Sequence, residues 1–244
     1  MSDHEVNLKI LMDVLIKRGR VSGREERNRV LAQLAEDVVA LVLADNAGQS
    51  RGLTLDGLRS ARDYEAFVGL LEELCAARVL DAVEDVVPAR DELLGWRGQE
   101  RGLPRPLLAV VLGQVKRWAR DGLLASRFPD SEAGRSFLEA YFPESLRGSY
   151  SPFFGEHALR REIIATVSVN HLVNHAGIRF LPWLVRTSGG DIGTIVAAYV
   201  AAEAERGAVR LRSDVVAKGS KAQEEHARLL QIEDALAEAV RARL

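Results

Sequence analysis

Apolar residues recur every three or four positions through most of this chain, and this spacing constrains the fold more than any other feature of the sequence. Because an α-helix has about 3.6 residues per turn, the spacing gathers apolar side chains on one helix face. A β-strand would need apolar and polar residues to alternate, and no stretch of strand length shows this alternation. The sequence therefore predicts an all-α fold of long amphipathic helices joined by short helices and turns.

The first helix boundaries follow from residues that start or stop a helix. A helix is predicted over residues 3–17, because Gly19 can end it in a left-handed turn. Ser22 is followed three residues later by Glu25, which matches a capping box. We therefore expect a second long helix to begin at this point.

Gly52 and Gly57 flank residues 53–56, so we expect a short connection there and a third helix over residues 58–77. Residues 128–154 contain three prolines and several aromatic residues, which predicts short helices and turns. Longer helices are predicted from Pro106 onward, over residues 157–176 with Gly177 as the C-cap, over residues 191–204 and over residues 223–244.

The helical pattern is interrupted at Pro88 and over residues 95–106, because proline lacks an amide donor and disfavours helix in the preceding residue. No linker rich in proline, glycine and serine separates two halves of the chain. We therefore expect residues 1–244 to form one helical region, with a possible internal boundary near residues 88–106.

Composition limits the function classes. The 244 residues carry 33 Lys and Arg against 35 Asp and Glu. This balance gives no large positive electrostatic field that would attract nucleic acid. The N-terminus is too polar for a signal peptide, and no apolar run is long enough to span a membrane. A single cysteine, Cys75, lies among apolar helix positions and is interpreted as a buried structural thiol. These features predict a soluble, cytoplasmic protein.

Motif searches predict no catalytic residue, no cofactor site and no metal site within this chain. No G-x-G-x-x-G sequence is present to approach a dinucleotide pyrophosphate, and the AKGSK string near Lys218 lacks the spacing of a phosphate loop. His171 and His175 are four residues apart, a spacing that can hold zinc, but no third ligand is evident. His4 and Glu5 begin a zinc-binding motif whose second histidine position is Leu8.

Several strings nevertheless carry a specific resemblance. In chain order they are SDHEVNLKIL, VVALVLADNAGQ, GLPRPLLAVVLGQVK, LLASRFPD, LEAYFPESLR and HALRREIIATVSVNHLVNHAGIRF. Together they resemble the C-terminal end of the large bacterial NAD-specific glutamate dehydrogenases, over almost the whole chain.

The resemblance implies a function that this chain would share with residues preceding it in a longer protein. Those enzymes convert L-glutamate, NAD and water to 2-oxoglutarate, ammonium and NADH, with NAD and catalytic residues held upstream of this region. The implied partner is the remainder of the polypeptide, in a homo-oligomer. By similarity to smaller glutamate dehydrogenases, Ser2 is the one position implied to contact substrate, although it could simply cap the first helix.

Two functional interpretations follow. In the first, the chain is the helical C-terminal portion of the dehydrogenase and is inactive when isolated. In the second, it is a stand-alone helical interaction or scaffold module without catalysis.

Overall fold

The computed structural model describes residues 2–97 and 102–244, and the described residues form thirteen α-helices, one 3-10 turn at Phe128–Asp130 and no strand. The all-α prediction is therefore confirmed. The helices are α1 (Asp3–Lys17), α2 (Arg24–Gln33), α3 (Ala35–Arg62), α4 (Tyr64–Ala76), α5 (Arg90–Trp96), α6 (Arg105–Ala125), α7 (Glu132–Tyr141), α8 (Glu144–Phe154), α9 (Arg160–Ala176), α10 (Phe180–Ser188), α11 (Ile192–Arg206), α12 (Ala208–Ala217) and α13 (Ala222–Arg241).

Helix α9 lies at the centre of the fold, where α3, α6, α7, α11 and α13 pack around it. Its buried residues are distributed over more than one face, which a helix at the surface would not tolerate. They are Ile163, Ile164, Ala165, Ser168, Val169, Leu172 and Val173. Helix α6 supplies the facing stripe that its apolar periodicity predicts, including Leu108, Val111 and Val115. One main core therefore surrounds α9.

Helix α3 runs without a break through the connection that was predicted at residues 53–56, so that prediction is wrong. Leu53 and Leu55 are buried within it, and their burial outweighs the low helix propensity of Gly52 and Gly57. Gly52 has a packing role as well. A Cβ atom at this position would lie 2.8 Å from the carbonyl oxygen of Asn174 on α9, so the glycine permits a close crossing of α3 and α9.

The boundaries on either side of α3 also differ from the prediction. The expected third helix over residues 58–77 is divided at Asp63, which lies between α3 and α4. The capping box is absent as well, because Gly23 occupies the N-cap of α2 and no side chain caps it. The backbone amide of Ser22 donates instead to the Glu26 carboxylate at 2.5 Å, one position beyond the expected Glu25.

Three further helices, α5, α10 and α12, were not predicted, whereas α6, α9, α11 and α13 lie close to their predicted positions. Part of the predicted boundary near residues 88–106 falls on residues 98–101, outside the described residues. Cys75 is partly buried against the core, and burial, with lesser contributions from Asp81 and Asp85, raises the pKa of its thiol. Among the described residues, no helix combines the length and apolar character needed to cross a bilayer.

A buried ion pair joins α3 to the end of α9. Asp56 is fully buried and accepts a hydrogen bond of 2.9 Å from the Arg59 guanidinium. Asp56 also accepts the amide of Ile178 at 3.1 Å, and Arg59 donates to the carbonyl of His175 at 2.6 Å. These groups satisfy backbone atoms that the end of α9 leaves without helical partners. The pair therefore fastens α3 to the C-terminus of α9.

Replacing Asp56 by alanine is expected to lower the free energy of unfolding by about 3 kcal/mol, because it leaves the Arg59 charge buried and uncompensated. Urea unfolding followed by circular dichroism measures the change. Asp234→Ala is the matched control, since Asp234 pairs with Arg62 on the exposed surface and its loss is expected to change stability by at most about 1 kcal/mol. Equal losses in the two variants would contradict the assigned role of Asp56.

Candidate functional site

A cleft of about 740 Å³ opens between α1, α3 and α9. The start of α1 forms one wall, residues 41–48 of α3 form a second, and the outward face of α9 forms the floor. Tyr141, at the end of α7, closes one side. Several long helices thus bring together residues that are far apart in sequence.

Ser2 lies at the edge of this cleft, where it caps α1. Its hydroxyl oxygen accepts the backbone amide of Glu5 at 3.3 Å, and its extended backbone is typical of an N-cap residue. Asp3 and Glu5 place carboxylates in the first turn of the helix. The capping role that the sequence allowed for Ser2 is therefore present, and Ser2 also lines the cleft.

His4 and Asn7 attach α1 to the side of the cleft through Tyr141. The His4 ring stacks on the Tyr141 ring with centroids 4.3 Å apart, and its Nε2 atom lies 3.2 Å from the Asp45 carboxylate on α3. The Asn7 side-chain amide donates to the Tyr141 hydroxyl at 2.7 Å. Burial raises the pKa of Tyr141 to about 12. Tyr141 is therefore a protonated phenol that fixes the position of α1.

Two side-chain carbonyl oxygens, those of Asn7 and Asn174, are buried without a hydrogen-bond partner in the described residues. Both asparagines line the cleft. A buried acceptor without a donor raises the free energy of the folded state, and a ligand or a neighbouring segment that donates a hydrogen bond would remove that penalty. The cleft therefore has an unfilled capacity to accept hydrogen bonds.

His171 and His175 lie on the floor of the cleft but do not form a chelating pair. The Nε2 atom of His171 lies 2.8 Å from the Glu203 carboxylate, and the Nδ1 atom of His175 lies 2.7 Å from the His171 carbonyl oxygen. Burial is the main cause that lowers the pKa of His175 to about 3, so the ring is neutral near pH 7. Within residues 2–97 and 102–244, no group of three or more His, Cys, Asp or Glu could hold a metal ion.

Behind His171 lies a cluster of buried charged residues that motif searches of the sequence did not find. The Arg212 guanidinium contacts Glu203, donates to Glu233 at 2.6 Å and donates to the Tyr199 hydroxyl at 2.8 Å. Burial alone would raise the pKa of Glu203, but hydrogen bonds from His171 and Arg212 lower it to about 2. The cluster joins α9, α11, α12 and α13, so it links the floor of the cleft to the C-terminal helices.

One sequence signal could have revealed this cluster. Glu203 falls on the same face of α11 as Ile195, Tyr199 and Ala202, all of which are buried. A carboxylate on an otherwise apolar helix face predicts a buried cationic partner, because an unpaired buried charge is strongly destabilising. The pattern does not reveal which arginine supplies the charge.

None of the described residues that line the cleft is lysine or arginine, while Asp3, Asp45 and Glu162 all contribute carboxylates. A ligand that carries carboxylates needs cationic or amide donors around them. The described lining of the cleft supplies no lysine or arginine for such a ligand.

Comparison with known proteins shows the family to which the chain belongs. Residues 100–241 match the family described as glutamate dehydrogenase, C-terminal. The chain belongs to this glutamate dehydrogenase C-terminal family. Residues 1–56 match a second family, described as bacterial NAD-glutamate dehydrogenase, catalytic domain. The α1 wall of the cleft, including Ser2, thus falls in the catalytic-domain match, whereas the α9 floor falls in the C-terminal match.

Three curated relatives are each called NAD-specific glutamate dehydrogenase. The protein of Halomonas elongata is 36% identical over 201 residues, which cover 82% of this chain and 12% of the relative. The Mycobacterium tuberculosis protein is 34% identical over 83% of this chain and 12% of the relative. The Pseudomonas aeruginosa protein is 33% identical over 82% of this chain and 12% of the relative. The matched part of this chain thus spans about an eighth of the length of each relative.

The neutral state of His175 predicts how the stability of the helical region depends on pH. Its folded pKa of about 3 lies below the ordinary value of 6.5, so protons bind to the unfolded state first as the pH falls. The stabilisation is therefore complete above pH 6.5 and is lost as the pH falls towards 3. Between about pH 7 and pH 5, the protonation of His175 in the unfolded state is expected to lower the free energy of unfolding by about 2 kcal/mol.

His175→Gln is expected to reduce this pH dependence, as measured by urea unfolding at a series of pH values. The measurements stay above pH 5 because Glu203 has a pKa of about 2, and the stability that it contributes is lost only at lower pH. His226→Gln, on α13 and outside the cleft, is the control and is expected to retain the dependence. An unchanged pH profile in His175→Gln would mean that the imidazole is not held neutral by the fold.

Proposed function

We propose that this chain forms the helical C-terminal part of an NAD-dependent glutamate dehydrogenase that converts L-glutamate, NAD and water to 2-oxoglutarate, ammonium and NADH. The observation that carries the proposal is the pair of family matches, catalytic domain over residues 1–56 and C-terminal region over residues 100–241, in one continuous helical chain. The printed names of the relatives give the reaction class. The cytoplasm is the proposed location.

In this proposal the residues that bind NAD and perform catalysis lie in the part of the enzyme that precedes this chain. A dinucleotide site is usually built on a strand followed by a glycine-rich turn and a helix, and the described residues contain no strand. We therefore assign the NAD site to the part of the enzyme that precedes this chain. This chain would supply a wall and a floor of the substrate cleft, and the upstream part would supply the cations and the nucleotide fold.

The surface of α3 supports a contact with the upstream polypeptide. Val39 and Leu43 are 57% and 62% exposed although they lie in the apolar run VVALVL. This half of α3 and all of α1 fall within the match to the catalytic domain, so the rest of that domain is the proposed cover. Burying such side chains contributes roughly 1.5 to 3 kcal/mol each, which favours a fixed position for the helical region.

The proposed contact between α3 and the catalytic domain also bears on how the chain is divided into domains. We propose that residues 1–244 act as one helical region, with an internal boundary near residues 88–106 that separates the part next to the catalytic domain from the rest. The complete enzyme is proposed to be a homo-oligomer. Ser2 would contact a substrate carboxylate at the edge of the cleft, because it lines the cleft and a hydroxyl can donate a hydrogen bond to a carboxylate.

The proposal predicts a clear difference between the complete enzyme and this chain. Purified full-length protein is expected to reduce NAD in a glutamate-dependent reaction, followed by NADH absorbance, whereas the 244-residue chain alone is expected to give no signal. A full-length protein that folds, binds no NAD and oxidises no glutamate would favour a helical scaffold module instead. Glutamate-dependent NADH formation by the isolated chain would refute the assignment of catalysis to the upstream part.

Ser2 provides a sharper test within the full-length enzyme. Ser2→Ala is expected to reduce kcat/KM for glutamate by about 10-fold to 100-fold, mainly through KM, because one hydrogen bond to a charged carboxylate is lost. The same change also removes a helix cap, which is expected to cost about 1 kcal/mol.

Ser131→Ala separates the two effects. The Ser131 hydroxyl caps α7 by accepting the amide of Gly134 at 3.0 Å, in the same geometry but outside the cleft. A similar loss of stability with unchanged KM is expected for this control. If both variants raise KM equally, Ser2 acts only as a cap.

A further inference from the structure

The turn over residues 81–87 holds two valines almost completely in solvent. Val83 is 86% exposed and Val86 is 79% exposed, more than any other large apolar residue described in the chain. Val86 also has a φ of 51°, in the left-handed region that a β-branched side chain disfavours. A strained residue that exposes an apolar side chain raises the free energy of the folded chain, unless another surface covers it.

Hydrogen bonds hold the turn in this conformation. The Asp81 carboxylate accepts the amides of Val83 and Glu84, each at 2.9 Å. Asp85 accepts the amide of Asp81 at 2.9 Å and the side-chain amide of Gln114 on α6 at 2.7 Å. The two valines are therefore presented by a rigid turn that is anchored to α6.

The same turn is acidic. Asp81, Glu84 and Asp85 lie within it, and no lysine or arginine occurs between Val79 and Ala89. We call residues 81–87 the acidic turn. It combines two protruding apolar groups with three carboxylates, so a matching surface would be an apolar depression with a basic rim.

A depression of this kind lies between α12 and α13. It has a volume of about 530 Å³, and Leu211, Val215, Ile232 and Leu236 are among the apolar residues that line it. Its charged lining consists of Arg206, Lys218 and Arg228 against a single carboxylate, Asp214. These three cations form no ion pair with any residue in 2–97 or 102–244. We call this depression the basic groove.

We propose that the acidic turn of one copy of the chain docks in the basic groove of a second copy. The apolar tip matches the apolar floor, and the three carboxylates match the three unpaired cations. Each copy carries one turn, anchored to α6, and one groove, formed by α12 and α13. Two copies related by a twofold axis would make this contact twice, whereas copies without such an axis would join head to tail in a ring or an open chain.

This contact is independent of the proposed reaction, because it uses neither the cleft nor its lining residues. A single turn in a groove of this size buries less surface than a stable protein–protein interface needs. The contact between two isolated chains is therefore weak, and it is detected at high protein concentration. Further contacts within a complete oligomer would strengthen it.

Sedimentation velocity of the 244-residue chain, at concentrations up to about 0.5 mM, tests the contact. Three double variants are compared. The turn variant carries Val83→Ser and Val86→Gly, the groove variant carries Lys218→Glu and Arg228→Glu, and the control carries Arg24→Glu and Arg135→Glu. The groove variant and the control have the same net charge, so they separate a local effect from general repulsion.

The native chain and the control are expected to self-associate, whereas the turn variant and the groove variant are expected to bind their own copies at least about ten-fold more weakly. The decisive sample is an equimolar mixture of the turn variant and the groove variant. One intact turn and one intact groove remain in that mixture, so 1:1 dimers are expected to form and to grow no further. Circular dichroism and melting temperature confirm that each variant is folded, and Val86→Gly is expected to melt no lower because it removes the left-handed strain.

Three results would overturn the proposal. The native chain could remain monomeric at every concentration measured, which would mean that the acidic turn and the basic groove do not bind each other. The groove variant and the control could associate equally. The mixture could fail to form dimers although both variants are folded.

Discussion

The close crossing of α3 over α9 is the constraint on which the rest of the structure depends. Gly52 lets the two backbones approach each other, and the Asp56–Arg59 pair fastens α3 to the last turn of α9. The preceding half of α3 then diverges from α9, and the candidate cleft lies in the space between them. A larger residue at position 52 would separate the helices and change the cleft and the core together.

Electrostatic pairing inside the fold explains why the cleft is poor in cations. Arg212 and Arg59, which both lie near His175 at the end of α9, are engaged by buried carboxylates. Burial makes these pairs costly to break, so neither guanidinium is available to a small anion. The acidic and amide-rich lining that remains suits contact with a second protein surface that supplies the missing charge. This division fits a helical region that completes a site without containing its reactive groups.

The sequence predicted the helix class and most long helices, because a stripe of apolar residues at helical spacing requires no knowledge of neighbouring elements. It failed where tertiary contacts outweigh local preference. Gly52 and Gly57 indicate a break in isolation, yet α3 continues through both because Leu53, Leu55 and Asp56 are buried against other helices. The capping box failed for a different, local reason, since Glu26 rather than Glu25 reaches the Ser22 amide.

The candidate site was less predictable than the fold. Ser2 could be identified from the resemblance, and its capping role followed from its position before α1. The partners of His171 could not be predicted, because Glu203 and Arg212 come from helices whose packing no local pattern specifies. Helix α12, which supplies Arg212, was itself missed. The chemistry of this region therefore depends on contacts between residues that are distant in sequence.

Helix α2 has a consequence for the dynamics of the chain. None of its residues is buried, and the adjoining first half of α3 has little buried surface before Gly52. Segments with few buried apolar contacts open at a lower free energy than the core, so amide protons here exchange faster than those of α9. Helix α2 and the first half of α3 are therefore expected to be less stable locally than the core. In the proposed enzyme, contact with the catalytic domain would order these segments, and this would couple their local unfolding to the affinity of the two parts for each other.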